Sequence, residues 1–166
     1  MSDAVDQIVA AWGEVRPELD VWPTHVIGRV KRLARVLDRE LKTFFARYGL
    51  EHWEVDVLTT LRRSGGADGL TAGALIKNTM VTSGAITNRI DRMQTRGLVR
   101  RTADPHDRRT VRIQLTDEGR ALIDEIMPLH VDNEVRLLQG LSREESDQLG
   151  DLLRKLSESL GDTALE

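Results

Sequence analysis

Residues 70–115 read LTAGALIKNTMVTSGAITNRIDRMQTRGLVRRTADPHDRRTVRIQL. Helical apolar spacing over Thr71–Lys77 is followed by a turn and by a second helix, Thr82–Arg96, which Gly97 closes. Two strands follow, Leu98–Arg101 and Thr110–Leu115, joined by a charged tip. Helix, turn, helix and basic hairpin in that order predict a winged helix-turn-helix, which lays its second helix in the major groove of DNA. Residues 81–113 hold eight Arg (89, 92, 96, 100, 101, 108, 109 and 112) against three Asp (91, 104 and 107), a local net of +5. The 166-residue chain carries −3, so the remaining residues sum to −8. One basic stripe on an acidic protein points to double-stranded DNA as partner.

Outward from this stretch the pattern is helical. Asp3–Glu14 carries Val5, Ile8, Val9 and Trp12 at helical spacing, and Arg16–Asp20 breaks it. Pro23 suits the first turn of a helix reaching Tyr48, with Val26, Val30, Leu33, Leu37, Leu41 and Phe44 as its stripe and Gly49 as its cap. A third helix spans Glu51–Arg63. Beyond the wing, Thr116-Asp117-Glu118 opens a long helix that Pro128 should kink, and Ser142 with Glu145 forms a capping box for the last, to Leu160. The fold class is mainly α, an α+β winged helix-turn-helix. Three segments are expected: N-terminal helices over 1–48, the winged lobe over 49–115, and C-terminal dimerisation helices over 116–166. Leu149, Leu152, Leu153, Leu156 and Leu160, together with Leu122, Ile123, Ile126 and Leu129, leave more apolar surface than one small lobe can cover. A homodimer follows, and two reading heads one DNA turn apart suit a palindromic operator.

Composition narrows the rest. There is no Cys, and His25, His52, His106 and His130 lack paired ligand spacing, so neither a metal site nor a cofactor is expected. No nucleophile–base set or phosphate loop appears, which argues against an enzyme. No run is long and apolar enough for a membrane span, and the acidic start lacks a basic leader, so a cytoplasmic location is expected. A winged-helix module that binds only protein is the alternative class.

On the second helix, Ile86, Ile90 and Met93 fall on one side and Gly84, Asn88, Asp91 and Thr95 on the other, with Thr87 and Arg92 flanking. Asn88 can pair with adenine and the Thr87 methyl can touch that of thymine. Thr82 is the expected N-cap, Ser83 sits where free N–H groups can hold a phosphate, and Gly84 allows close backbone approach. At the wing tip, Asp104-Pro105-His106-Asp107-Arg108-Arg109 presents two arginines, one of which Asp107 can orient.

Asp107-x-Arg109 followed by a strand and Leu115-Thr116-Asp117-Glu118-Gly119 resembles the wing signature of the MarR family of bacterial transcription factors. The resemblance covers nearly the whole chain. It implies a triangular homodimer of winged-helix lobes, usually repressing transcription and released by small anionic or phenolic effectors, with Arg109 in the minor groove.

The added N-terminal helix with RPELDVWPTHVIGRVKRLARVLDREL and EVDVLTTLRR is similar to the urate-responsive, PecS-like branch of that family. That resemblance implies an effector site of Trp12, Asp56, Arg63 and Arg89, with Trp22 a rival for the aromatic position. Seven residues turn about 700° and rise about 10.5 Å, so Asp56 and Arg63 share a face of their helix without touching. Arg89 lies about 60° from Ile86, on the flank of the buried face, where it needs an acceptor inside the protein. A planar anion under a stacked Trp fits, and so does an interhelix ion pair such as Asp56 with Arg89. Salicylate-like phenols and small polycarboxylates are the alternative effectors.

Overall fold

The computed structural model describes residues 2–78, 86–104, 107 and 109–163. The chain divides into two compact units, Met1–Tyr48 and Gly49–Glu166.

The first unit is a helix pair, α1 (Ala4–Val15) and α2 (Thr24–Ala46). Asp3 caps α1 by accepting the N–H groups of Val5 and Asp6 at 2.8 and 3.0 Å, and Asp6 accepts the N–H of Asp3. Arg29 of α2 closes on both carboxylates, at 2.9 Å to Asp3 and 2.7 Å to Asp6. Backbone hydrogen bonds and the guanidinium hold both Asp pKa values below their ordinary range. Beside this network, buried Val5 packs against Gly28, where an added Cβ would lie 3.2 Å from a Val5 methyl. Pro23 stands one residue before α2, not within its first turn. Its carbonyl accepts the N–H groups of Val26 and Ile27, which its own missing N–H does not disturb. Val26, Ile27, Val30, Leu33, Val36 and Leu37 remain 39–53% exposed along α2.

The second unit contains α3 (His52–Ser64), β1 (Leu70–Thr71), α4 (Ala72–Asn78), α5 (Ile86–Thr95), β2 (Val99–Ala103), β3 (Val111–Leu115), α6 (Asp117–Leu137) and α7 (Arg143–Ser159). The antiparallel sheet has the order β1-β3-β2, with Val99 opposite Leu115 and Arg101 opposite Ile113. β1 corrects the expectation of a helix from Thr71: Leu70 and Thr71 pair with Ile113 and Arg112, and Thr71 Oγ1 then accepts the Ala74 N–H at 3.1 Å. The approach is possible because residue 69 is glycine. Its φ is +75°, and a Cβ there would lie 2.2 Å from the Ile113 carbonyl oxygen. The strands of the wing also run later than expected, to Ala103 and from Val111.

The core is built from one face of each element: Val55, Leu58 and Leu61 of α3, Leu75 of α4, Ile90 and Met93 of α5, Val99 and Ile113 of the sheet, Ile123 and Ile126 of α6, all 3% exposed or less. α6 starts where the wing ends. Thr116 Oγ1 caps it by accepting the Gly119 N–H at 3.0 Å and donates to the Gly97 carbonyl at 2.6 Å. The Thr116 N–H reaches the Leu98 carbonyl at 3.2 Å. Gly119 lies against that same carbonyl, so Leu115-Thr116-Asp117-Glu118-Gly119 is a cap plus a close backbone contact. Arg62 of α3 binds Asp124 of α6 at 2.7 and 3.3 Å. α6 continues through Pro128 to Leu137. α7 opens with the expected Ser142/Glu145 capping box, and none of its residues is buried.

Candidate nucleic-acid interface

α5 is oriented by Ile86, Ile90 and Met93, which are 7%, 2% and 0% exposed. Burying them turns Thr87, Asn88, Asp91, Arg92 and Thr95 outward, and all five are exposed. A hydroxyl, an amide and a guanidinium thus share the outer side of one helix, the chemistry that base edges and phosphates require. Thr82, Ser83, Gly84 and Arg108, also expected at this interface, lie outside the described residues.

The wing turn is organised by two carboxylates. Asp104 accepts the Asp107 N–H at 3.2 Å, while Asp107 accepts the Arg109 N–H at 2.9 Å and the Thr110 hydroxyl at 2.8 Å. Asp107 therefore shapes the backbone of the tip; its expected pairing with one of the two tip arginines involves Arg108, which lies outside the described residues. Asp-x-Arg spacing serves this geometry, because a carboxylate accepts the N–H two residues on without reaching that residue's head group. The Arg109 side chain, exposed, makes no ion pair or hydrogen bond with any described residue.

The arginines of the basic stretch divide by partner. Arg96 Nη1 lies 2.6 Å from both oxygens of Glu54, a carboxylate with no exposed surface, and its Nη2 donates to the Gly49 carbonyl at 2.9 Å. Arg112 binds buried Asp104 and the Gly69 carbonyl. Arg101 joins the wing to α5 through Asp91 at 2.6 Å and Gln94 at 2.8 Å. Arg92 binds Glu51. Charge counted along the sequence therefore overstates the field offered to DNA, since Glu51 and Glu54 come from α3 and its preceding residue. Those two carboxylates were missed by the sequence reading; the Glu51-x-x-Glu54 spacing, in which Glu54 accepts the Glu51 N–H at 2.9 Å, is the signal that could have marked them.

Trp53 was missed as well. The Cζ atoms of Arg89 and Arg92 each lie 5.2 Å from its ring centroid, and its Nε1 donates to Glu51 at 2.7 Å. Arg89 is half-buried, and its Nη1 is buried without a hydrogen-bond partner among the described residues. Of the other residues expected to bind an effector, Asp56 is half-buried on α3, and exposed Arg63 donates to the Asn78 carbonyl at 3.2 Å. Trp12 belongs to α1 of the first unit and is 46% exposed; Trp22, 64% exposed, precedes Pro23. Among the described residues no cluster of His, Cys, Asp or Glu is arranged to hold a metal ion, and no helix is long and apolar enough to cross a membrane.

Comparison with known proteins agrees with this architecture. The sequence profile of the MarR family matches residues 48–110. Over 156 residues, 94% of each chain, the sequence is 40% identical to the HTH-type transcriptional regulator PecS of Dickeya dadantii. Among solved structures it is similar to Bordetella bronchiseptica BpsR, described in work on regulation of DNA binding by 6-hydroxynicotinic acid. That similarity has a TM-score of 0.70 at 27% identity and covers 80% of this chain and 92% of that one. It is also similar to a mutant MarR from E. coli complexed with operator DNA, with a TM-score of 0.70 at 25% identity, covering 93% and 99%.

Proposed function

The chain belongs to the MarR family of transcriptional regulators, DNA-binding proteins and not enzymes, and from that premise we propose that it is a homodimeric repressor of a palindromic operator, released by urate or a related small planar anion. Residues 49–115 form the reading lobe, while 1–48 and 116–166 supply the helices of assembly. Apolar side chains left uncovered in a single chain support the dimer. On α2 they run from Val26 to Leu37, and in the second unit they include Val131, Val135, Leu138, Leu149, Leu152, Leu153 and Leu160. Exposed apolar faces of this extent are covered in a stable protein, and a second copy carries the same faces.

In the reading lobe, Asn88 and Thr87 address base edges, while Thr82, Ser83, Gly84 and Arg92 approach the phosphate backbone. Arg109, with Arg108, enters the minor groove. The effector reading rests on one observation above all: Arg89 Nη1 is buried without a hydrogen-bond partner among the described residues. A buried N–H of a charged group left unpaired is costly, and an anion that accepts from it removes that cost. Arg63 supplies a second cation, Asp56 an acceptor for a ring N–H, and Trp12 an aromatic face. The relative regulated by 6-hydroxynicotinic acid responds to a planar heteroaromatic acid, chemistry of the same kind. Because Arg89 is on the reading helix, a ligand that prefers one position of that arginine shifts DNA affinity by its differential binding to the two states.

Calorimetry with urate and salicylate, paired with operator binding, tests this. Arg63→Ala should abolish the response to urate while DNA binding persists, since Arg63 is on α3 and not on the reading helix. Arg109→Ala should lower operator affinity without altering urate binding. Urate binding indifferent to Arg63, or salicylate alone binding, would refute the effector assignment; operator affinity unchanged by Arg109→Ala would refute the wing assignment.

A further inference from the structure

Trp53 is where two arginines of the reading helix meet. Arg89 and Arg92 stand three residues apart on α5, hence on neighbouring positions of its surface. Both guanidinium carbons lie 5.2 Å from the indole centroid. The ring is itself fixed: its Nε1 donates to one oxygen of Glu51 at 2.7 Å, and the other oxygen of Glu51 accepts from Arg92. The two arginines differ in surroundings. Arg92 is exposed, whereas Arg89 is half-buried with an unpaired buried N–H among the described residues. The indole therefore links an outward cation to an inward one.

Resting on the DNA reading above, we propose that Trp53 is a positioning residue that couples Arg89 to Arg92, so that withdrawing Arg89 from the ring strengthens the hold of Trp53 and Glu51 on Arg92 and removes Arg92 from DNA. The physical reason is competition. One ring has one quadrupole, and two like charges drawn to it repel each other while sharing it. When one leaves, the other stacks more tightly and its ion pair with Glu51 is no longer opposed. Arg92 then exchanges Glu51 for a phosphate less readily, and operator affinity falls. A packing role alone would not make the effect of one arginine depend on the aromatic character of residue 53.

The test is a set of operator titrations on the full-length protein, using a duplex that the wild type selects from a random pool. Arg89→Gln should weaken binding about threefold in the wild type, the size expected for one exposed cation–π contact. In a Trp53→Leu background, which keeps apolar bulk and removes the quadrupole, the same substitution should change affinity less than about 1.5-fold. Trp53→Phe, which keeps a ring, should restore the wild-type response. An undiminished effect of Arg89→Gln in Trp53→Leu protein overturns the coupling. Should Trp53→Leu fail to fold, Arg92→Gln serves as the second background: Arg89→Gln should add no further loss there, and an additive loss overturns the proposal equally. A folded wild type that selects no duplex would instead refute the DNA reading beneath it.

Discussion

Gly119→Ala is the sharpest test of how the wing is joined to the helix that follows it. A Cβ at position 119 would lie 2.0 Å from the Leu98 carbonyl oxygen and 2.9 Å from its carbon. An ordinary carbon–oxygen contact is about 3.3 Å or more, so the start of α6 must retreat by more than an ångström. That retreat opens the Thr116 N–H to Leu98 bond, 3.2 Å, and strains the Thr116 hydroxyl's bond to Gly97, 2.6 Å. Two hydrogen bonds at about 1 kcal/mol each and an overpacking cost of about 1–3 kcal/mol oppose at most about 1 kcal/mol gained from alanine's better helix propensity. The net loss is about 2–4 kcal/mol, or roughly 5–15 °C in Tm for a chain of this size. Urea titration at one fixed protomer concentration measures it, because assembly contributes to apparent stability. Gly13→Ala on α1 is the control: nothing lies within 4 Å of its Cβ position, so it should stabilise by about 0.5–1 kcal/mol. Gly119→Ala within about 0.5 kcal/mol of wild type would refute the close-contact account of this turn.

Leu153, 42% exposed in a single chain, should become buried on assembly; Leu153→Asp is expected to leave each chain helical and shift sedimentation from dimer to monomer, and an unchanged dimer would exclude α7 from the interface. Asp124 carries a pH signature. The hydrogen bond from Arg62 lowers its pKa below the ordinary carboxylate range, so its contribution is present above that range and is lost as pH falls through the lowered value. The stability gap between wild type and Asp124→Asn should accordingly be widest near neutrality and close in acid, when urea midpoints are compared at pH 7 and pH 3. A gap that does not change with pH would mean that the Arg62 pair contributes nothing as an ion pair.

The sequence by itself determined the parts of this protein whose causes are local. The 3.6-residue apolar period placed Ile86, Ile90 and Met93 on the buried side of α5, and with them the outward direction of Asn88. Ser142 with Glu145 set the start of α7, and two short strands joined by a charged tip after Gly97 announced the wing. These signals survive in one dimension because helix and strand periods are properties of the backbone. Tertiary structure alone decided what the charges do. Whether the guanidinium groups of Arg96 and Arg112 are tied within the protein depended on buried Glu54 and Asp104, and for Arg96 the partner is 42 residues away. The same holds for β1, whose two residues are too short for any period and are fixed by pairing with β3 across Gly69. The role of Trp53 likewise has no local signal, because it arises only where α5 brings two guanidinium groups to the ring. Local geometry reads directly from residue order, but an electrostatic interaction belongs to a pair, and folding chooses the pair.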